Sequence, residues 1–188
     1  MKEPGSETHP LKFKVPIFGD GGVGKTTLTH RFLNGVFKES YQLTIGMDFF
    51  LKKIKINGKS ISLQIWDFAG EKKFRFLLPG AVMGANGTIL MFDLTRYVTF
   101  KNLTDWLAAI NEANEIHDQK FIPILLVGSK LDLEGMRTVP KEEAIKFAKQ
   151  NNFIDYIECS SKNGENVEEL FAIISRSIVK KLKNPKSF

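Results

Sequence analysis

Residues 19–27 read GDGGVGKTT, and the fold turns on how that run is read. It fits the pattern G-x-x-x-x-G-K-[S/T]. A β-rich run, FKVPIF (13–18), precedes it, and an amphipathic stretch (24–34) follows, so the glycines lie in a strand-to-helix turn. In that setting glycines let backbone N–H groups turn inward, and the helix N-terminus adds its dipole. The loop is therefore built for a polyphosphate. Lys25 supplies charge for β- and γ-phosphates. The Thr26 hydroxyl is placed for Mg²⁺, an ion that keeps several waters and needs few protein ligands.

Working outward, β-rich runs at 47–56, 60–67, 87–93, 121–128 and 153–159 alternate with helical patterns at 99–113, 140–150 and 164–182. In the last, Val167, Leu170, Phe171, Ile174 and Ile178 recur at helical spacing. Strands alternating with helices predict an α/β fold: a six-stranded, mostly parallel sheet between layers of about five helices, with the site at the strands' carboxyl ends. Asn57-Gly58 joins two runs directly, so one antiparallel edge strand is expected. Pro16 sits in the first, central run, where it removes a ladder hydrogen bond and predicts a local defect or bulge. The expected organisation is one domain over 11–182 with flexible tails at 1–10 and 183–188.

Composition narrows the classes. The 188 residues are 43% hydrophobic and 26% charged, the balance of a globular chain. No apolar run reaches the ~20 residues of a membrane span, the polar start MKEPGSETHP is neither a signal nor a transit sequence, and Lys2 excludes N-myristoylation. The single cysteine, Cys159, cannot form an intrachain disulfide and points to a reducing compartment, the cytoplasm. His9, His30 and His117 have no metal-ligand spacing. The net charge of +6 is spread along the chain without interleaved aromatics, so nucleic acid is not the expected partner. A monomer is expected.

Four further segments point to the base and to the reaction. GSKLD (128–132) ends an apolar run, and a carboxylate at Asp132 can accept from guanine N1–H and the N2 amine, whereas adenine offers a repulsive lone pair. CSSK (159–162) ends the next run, where backbone N–H groups would meet guanine O6. YQLTIGMDFF (41–50) supplies Thr44, and WDFAGEKKF (66–74) carries D-x-x-G from Asp67 to Gly70.

These motifs, in this order over residues 11–182, resemble the small GTPases of the Ras superfamily, with their three-layer P-loop NTPase fold. TIGMDF followed by WDFAGEKKF is most similar to the Rab branch, whose members serve vesicle trafficking. The resemblance implies binding of GTP and GDP with Mg²⁺ and slow hydrolysis of GTP. Gly21, Gly22, Val23, Gly24, Lys25, Thr26 and Thr27 would hold the phosphates. Phe37 would pack on the guanine, with Tyr41 beside it in the nucleotide-binding set. Thr44 would close on Mg²⁺ and the γ-phosphate, Asp67 would hold a metal-bound water, and the Gly70 N–H would sense the γ-phosphate. Ser129, Lys130 and Asp132 would grip the base, and Ser160, Ser161 and Lys162 would complete its pocket. Effector, exchange-factor and GTPase-activating proteins would engage residues 41–50 and 67–81.

The chain departs from that pattern at instructive places. Ser129 replaces an asparagine whose amide ties the base loop to the phosphate loop. Losing one or two hydrogen bonds of about 0.5–1.5 kcal/mol each weakens affinity several-fold. Glu71 replaces the glutamine that orients the attacking water; a carboxylate accepts that water's proton but donates nothing to the γ-phosphate, and Lys72 or Lys73 is placed to pair with it. Phe68 replaces a small threonine. Phe49 and Trp66 match two of three aromatics of the Rab effector face, and the third aligns with Ala81. The ending VKKLKNPKSF has no cysteine, so no lipid anchor is expected, only weak attraction of its lysines to anionic lipid. The alternative is a scaffold that stays loaded with GTP without hydrolysing it. A small-molecule kinase is disfavoured because no insertion is long enough for an arginine-rich lid.

Overall fold

A computed structural model describes residues 10–38, 43–117 and 122–183. Its strands are β1 (Leu11–Phe18), β2 (Met47–Ile56), β3 (Lys59–Phe68), β4 (Thr88–Asp93), β5 (Ile124–Ser129) and β6 (Asp155–Cys159). The helices are α1 (Lys25–Asn34), α2 (Leu78–Val82), α3 (Tyr97–Lys101), α4 (Leu103–Ile116), α5 (Lys141–Gln150) and α6 (Val167–Lys183). Only Asn102 separates α3 from α4, so the six segments make five rods. Of the expected tails, Pro10 and Lys183 alone are described, the latter ending α6. Tyr41 lies outside the described residues.

The strands form one sheet in the order β2-β3-β1-β4-β5-β6. All neighbours run parallel except β2, paired antiparallel to β3 on the edge. The hairpin turns through Asn57 and Gly58, with φ of 49° and 76°, the conformation that an Asn-Gly pair adopts most readily. Every residue of β4 and β5 is buried, as befits central strands covered on both faces. One core lies beneath α1 and α6 and takes Phe13, Val15 and Ile17 from β1. The other lies beneath α2, α4 and α5 and takes Phe18. The five apolar residues that recur along α6 are all buried.

Pro16 corrects the expectation of a bulge. The β1–β3 register runs unbroken from Leu11↔Ile61 to Ile17↔Asp67, passing through Pro16↔Trp66. The proline's amide-free side faces β4, where the ladder begins only at Ile17. Side chains cover the gap: the Thr88 hydroxyl donates to the Pro16 carbonyl at 2.9 Å, and Asn86 Oδ1 accepts the Lys14 N–H at 2.7 Å. Thr88→Val keeps the shape but strands a buried carbonyl. It is expected to destabilise the fold by about 1–3 kcal/mol, read as a lower denaturant midpoint at unchanged slope.

The order in which strands are laid down reverses around β1: β2 and β3 lie on one side, β4 to β6 on the other. A ligand cleft is expected at such a switch point, outside the strands' carboxyl ends.

Candidate functional site

A cleft of about 640 Å³ opens there, lined by Gly21 to Thr27, Phe37, Leu43, Thr44, Phe68, Gly70, Glu71, Ser129, Lys130, Asp132, Leu133, Ser161 and Lys162. The loop from β1 bends sharply to make its floor. Gly19 has φ 141°, and a Cβ there would lie 2.1 Å from the Met91 carbonyl oxygen. Gly24, at φ 94°, turns the chain into α1. Lys25 is buried, and its ammonium donates to the carbonyls of Gly19 and Asp20, both at 2.8 Å. Burial pulls its pKa down to about 8; the Asp67 and Asp20 charges resist, while the Arg96 charge adds to the lowering.

The three metal candidates come together although Thr26 lies in α1, Asp67 in β3 and Thr44 in the loop before β2. Thr26 Oγ1 donates to Asp67 Oδ2 at 2.5 Å and lies 2.8 Å from Thr44 Oγ1, which itself donates to Asp67 Oδ2 at 3.3 Å. Asp67 is fully buried and its Oδ1 has no hydrogen-bond partner. Burial raises its pKa, against the pull of Thr26 and Lys25. Two hydroxyls and a carboxylate with a free oxygen are hard donors that fit Mg²⁺. Among the described residues no group of three or more His, Cys, Asp or Glu could hold a metal, so further ligands would come from water and phosphate.

Gly70 packs directly on the phosphate loop: a Cβ there would lie 2.2 Å from Gly21 N and 2.3 Å from the Asp20 carbonyl carbon. Glu71 pairs with Lys73 at 2.7 Å, with both side chains more than a third exposed, so the pair is weak. Phe68 is buried. With Phe18 and Trp106 it forms an aromatic triplet under the cleft, with ring centroids 5.3 to 6.1 Å apart. Trp106 Nε1 donates to Asp20 Oδ1 at 2.8 Å, Asn102 Nδ2 donates to Asp20 Oδ2 at 2.7 Å, and the Arg75 guanidinium lies 4.6 Å over the Trp106 ring. The 3₁₀ turn Lys72–Leu77 and the short α2 that follow went unseen in the sequence, because Pro79 and Gly80 break any helical period there.

At the β5 side of the cleft, the Ser129 hydroxyl lies 2.7 Å from the Val23 carbonyl oxygen and 2.8 Å from that of Phe92. Its single proton is shared between them, so a tie to the phosphate loop exists, but a short one. Ser160 sits behind the cleft rather than on it, and its hydroxyl donates to Asp132 Oδ1 at 2.6 Å, aiming that carboxylate. Lys130 Nζ lies 2.7 Å from Asp93 Oδ2. Burial alone would raise the Asp93 carboxyl's pKa, but hydrogen bonds from Lys130, Thr95 and Arg96 hold it below its ordinary value. Sequence reasoning missed Asp93, Arg96 and Trp106. The available signal was position: Asp93 follows the apolar run Ile89–Phe92 at the sheet's carboxyl edge, where ligands bind.

Beside the cleft, Phe49 is 53% exposed and meets the half-buried Trp66 edge to face at 5.6 Å, which settles their surface placement. Ala81 is buried. No helix among the described residues is long and apolar enough to cross a membrane.

A phosphate-loop motif, a hydroxyl–carboxylate cluster and a serine-held aspartate around one cleft define a protein of the P-loop class. The profile of the Ras family matches residues 14–180, and the chain belongs to that family. It is 42% identical over 168 residues to Ras-related protein Rab-11C of Dictyostelium discoideum, covering 89% of this chain and 73% of that protein. It is also 39% identical over 169 residues to Ras-related protein Rab-13 of Canis lupus familiaris, covering 90% and 81% of the two chains. To Ras-related protein Rab-4A of Homo sapiens it is 38% identical over 179 residues, covering 95% and 80%. It is a Rab-like small GTPase that binds guanine nucleotides and works as a molecular switch.

Proposed function

We propose that residues 11–182 form a slow switch in which GTP draws Thr44 and Gly70 onto the γ-phosphate and so orders two segments for partner proteins. The convergence of Thr26, Thr44 and Asp67 beside Lys25 carries this reading, because only the triphosphate end of a nucleotide would reach all four. Thr26 and Thr44 would ligate Mg²⁺ directly and Asp67 through a water. Mg²⁺, when bound, neutralises charge on the β- and γ-phosphates. Lys25 turns its ammonium from the loop carbonyls to the phosphates, and the backbone N–H groups of Gly21 to Thr27 follow them. Asp132, aimed by Ser160, selects guanine over adenine, while Phe37, Lys130, Ser161 and Lys162 close around the base. Effector, exchange-factor and activating proteins would meet the chain at 41–50 and 67–81, with Phe49 and Trp66 as an apolar anchor beside them. Arg75 is occupied with Trp106, which leaves an activating protein to supply a transition-state arginine.

Glu71 sets the pace of the reaction. Its carboxylate is repelled by the γ-phosphate and donates nothing to it, and the weak pair with Lys73 offers it another partner. Single-turnover hydrolysis of preloaded GTP tests this. Wild type is expected to turn over slowly and Glu71→Gln about tenfold faster, since the amide restores one hydrogen bond to a charged group. A rate that falls in Glu71→Gln would make the carboxylate the working base. GTP kept intact by wild type over many hours would sink the slow-switch reading.

A further inference from the structure

Arg96 belongs to none of the nucleotide motifs, yet its guanidinium lies against the phosphate loop. Its Nε donates to Asp93 Oδ2 at 2.8 Å, and its Nη2 donates to the Gly21 carbonyl at 3.0 Å. Asp93 is fully buried, and each of its oxygens is held. Oδ2 also takes Lys130 Nζ at 2.7 Å, while Oδ1 takes the Thr95 N–H at 2.9 Å and the Thr95 hydroxyl at 2.7 Å. The carboxylate is thus a fixed post between the segment that reads the base and the loop that holds the phosphates.

The contact with Gly21 bears on how the loop works. A trans peptide is planar, so its C=O and the next N–H point in opposite directions. Holding the Gly21 carbonyl on the Arg96 side directs the Gly22 N–H the other way. The peptide lies between two glycines, which oppose a flip less than any other pair of residues. Something must hold it, and Arg96 is the group in contact. The planar guanidinium fixes two separate donors, Nε on the carboxylate and Nη2 on the carbonyl, whereas a lysine ammonium is a single point on a flexible stem and holds the two acceptors in no fixed geometry. The Arg96 charge also bears on the Lys25 ammonium, which marks the phosphate position.

We infer that Arg96 is a positioning residue for nucleotide retention: anchored on Asp93, it clasps the Gly21–Gly22 peptide to the base-binding segment, in parallel with the short Ser129 tie. The inference rests on the guanine-nucleotide reading above. It also accounts for how a chain with serine at 129 keeps its two binding loops in register.

The test loads wild type, Arg96→Ala, Arg96→Lys, Ser129→Asn and the double variant Ser129→Asn with Arg96→Ala with N-methylanthraniloyl-GDP in Mg²⁺. Its release is followed under a chase of excess GDP. Release is read only from folded, loaded molecules, so a smaller folded fraction does not move it. Arg96→Ala is expected to release about tenfold faster or more, the loss of charge-assisted hydrogen bonding. Arg96→Lys, which keeps the Asp93 ion pair, falls between, and it gives the answer if Arg96→Ala does not load. In the Ser129→Asn background, where the longer amide restores the other tie, the Arg96→Ala effect shrinks to about threefold or less. Release unchanged within about twofold, or the same fold-change in both backgrounds, overturns the clasp while leaving the guanine reading intact. A wild type that holds no guanine nucleotide overturns that reading and the clasp together.

Discussion

Lys25→Ala is expected to lower nucleotide affinity at least about a hundredfold and to abolish measurable hydrolysis. The ammonium is buried, with Asp67 and Asp20 as the carboxylates whose charges act on it. Removing it takes away charge-assisted contacts to the phosphates worth about 1.5–3 kcal/mol each. It also leaves those carboxylates facing a polyanion without a counter-charge, so repulsion adds to the lost attraction. Equilibrium binding of fluorescent GTP and single-turnover hydrolysis measure the two losses, and circular dichroism checks that the variant still folds. Binding kept within about tenfold of wild type would show that the loop's N–H groups alone carry the phosphates.

Gly70→Ala separates sensing from holding. Gly70 has no left-handed φ, so its backbone torsions would accept alanine. What forbids the methyl is the closeness of the phosphate loop, with Gly21 N at 2.2 Å and the Asp20 carbonyl carbon at 2.3 Å from the added atom. Both are backbone atoms next to the aromatic triplet and cannot yield as a side-chain tip does. The segment must instead lift away, carrying the Gly70 N–H out of reach of a γ-phosphate. GDP affinity is expected to stay within a few-fold of wild type. The contribution of the γ-phosphate to affinity should fall, and hydrolysis should fall about a hundredfold or more, the scale of losing one preorganised donor at developing charge. Calorimetric titration with each nucleotide, beside the hydrolysis assay, reads all three. Full hydrolysis in Gly70→Ala would mean the γ-phosphate is sensed elsewhere.

Most of the architecture was legible because it is written locally. The strand-to-helix glycines, the Asn57-Gly58 turn and the period of α6 each act over a few residues, and the order of elements then leaves little choice of sheet. The short helices were not legible. In the segment 72–82, Pro79 and Gly80 contradict helical periodicity, and packing beside α4 holds the turn in shape. At Pro16 the missing ladder bond was legible and the absence of a bulge was not, because which neighbour the missing N–H faces is a property of the sheet. Within the site, residues in motifs could be named from spacing alone. Asp93, Arg96 and Trp106 could not, since what ties each to the site is a contact far away in the chain, and only the fold brings Lys130 to Asp93, Trp106 to Asp20 or Arg96 to Gly21.

The contacts of Trp106 have an optical consequence. Of the chain's two tryptophans, this one is fully buried, with its indole N–H on a residue of the phosphate loop and a guanidinium from the segment after Gly70 over its ring. Indole emission shifts with the charge and hydrogen bonding around the ring. The protein therefore carries an internal fluorophore in contact with both the phosphate loop and the segment after Gly70, and with Trp66→Phe to silence the other, nucleotide exchange is expected to change its emission without any label.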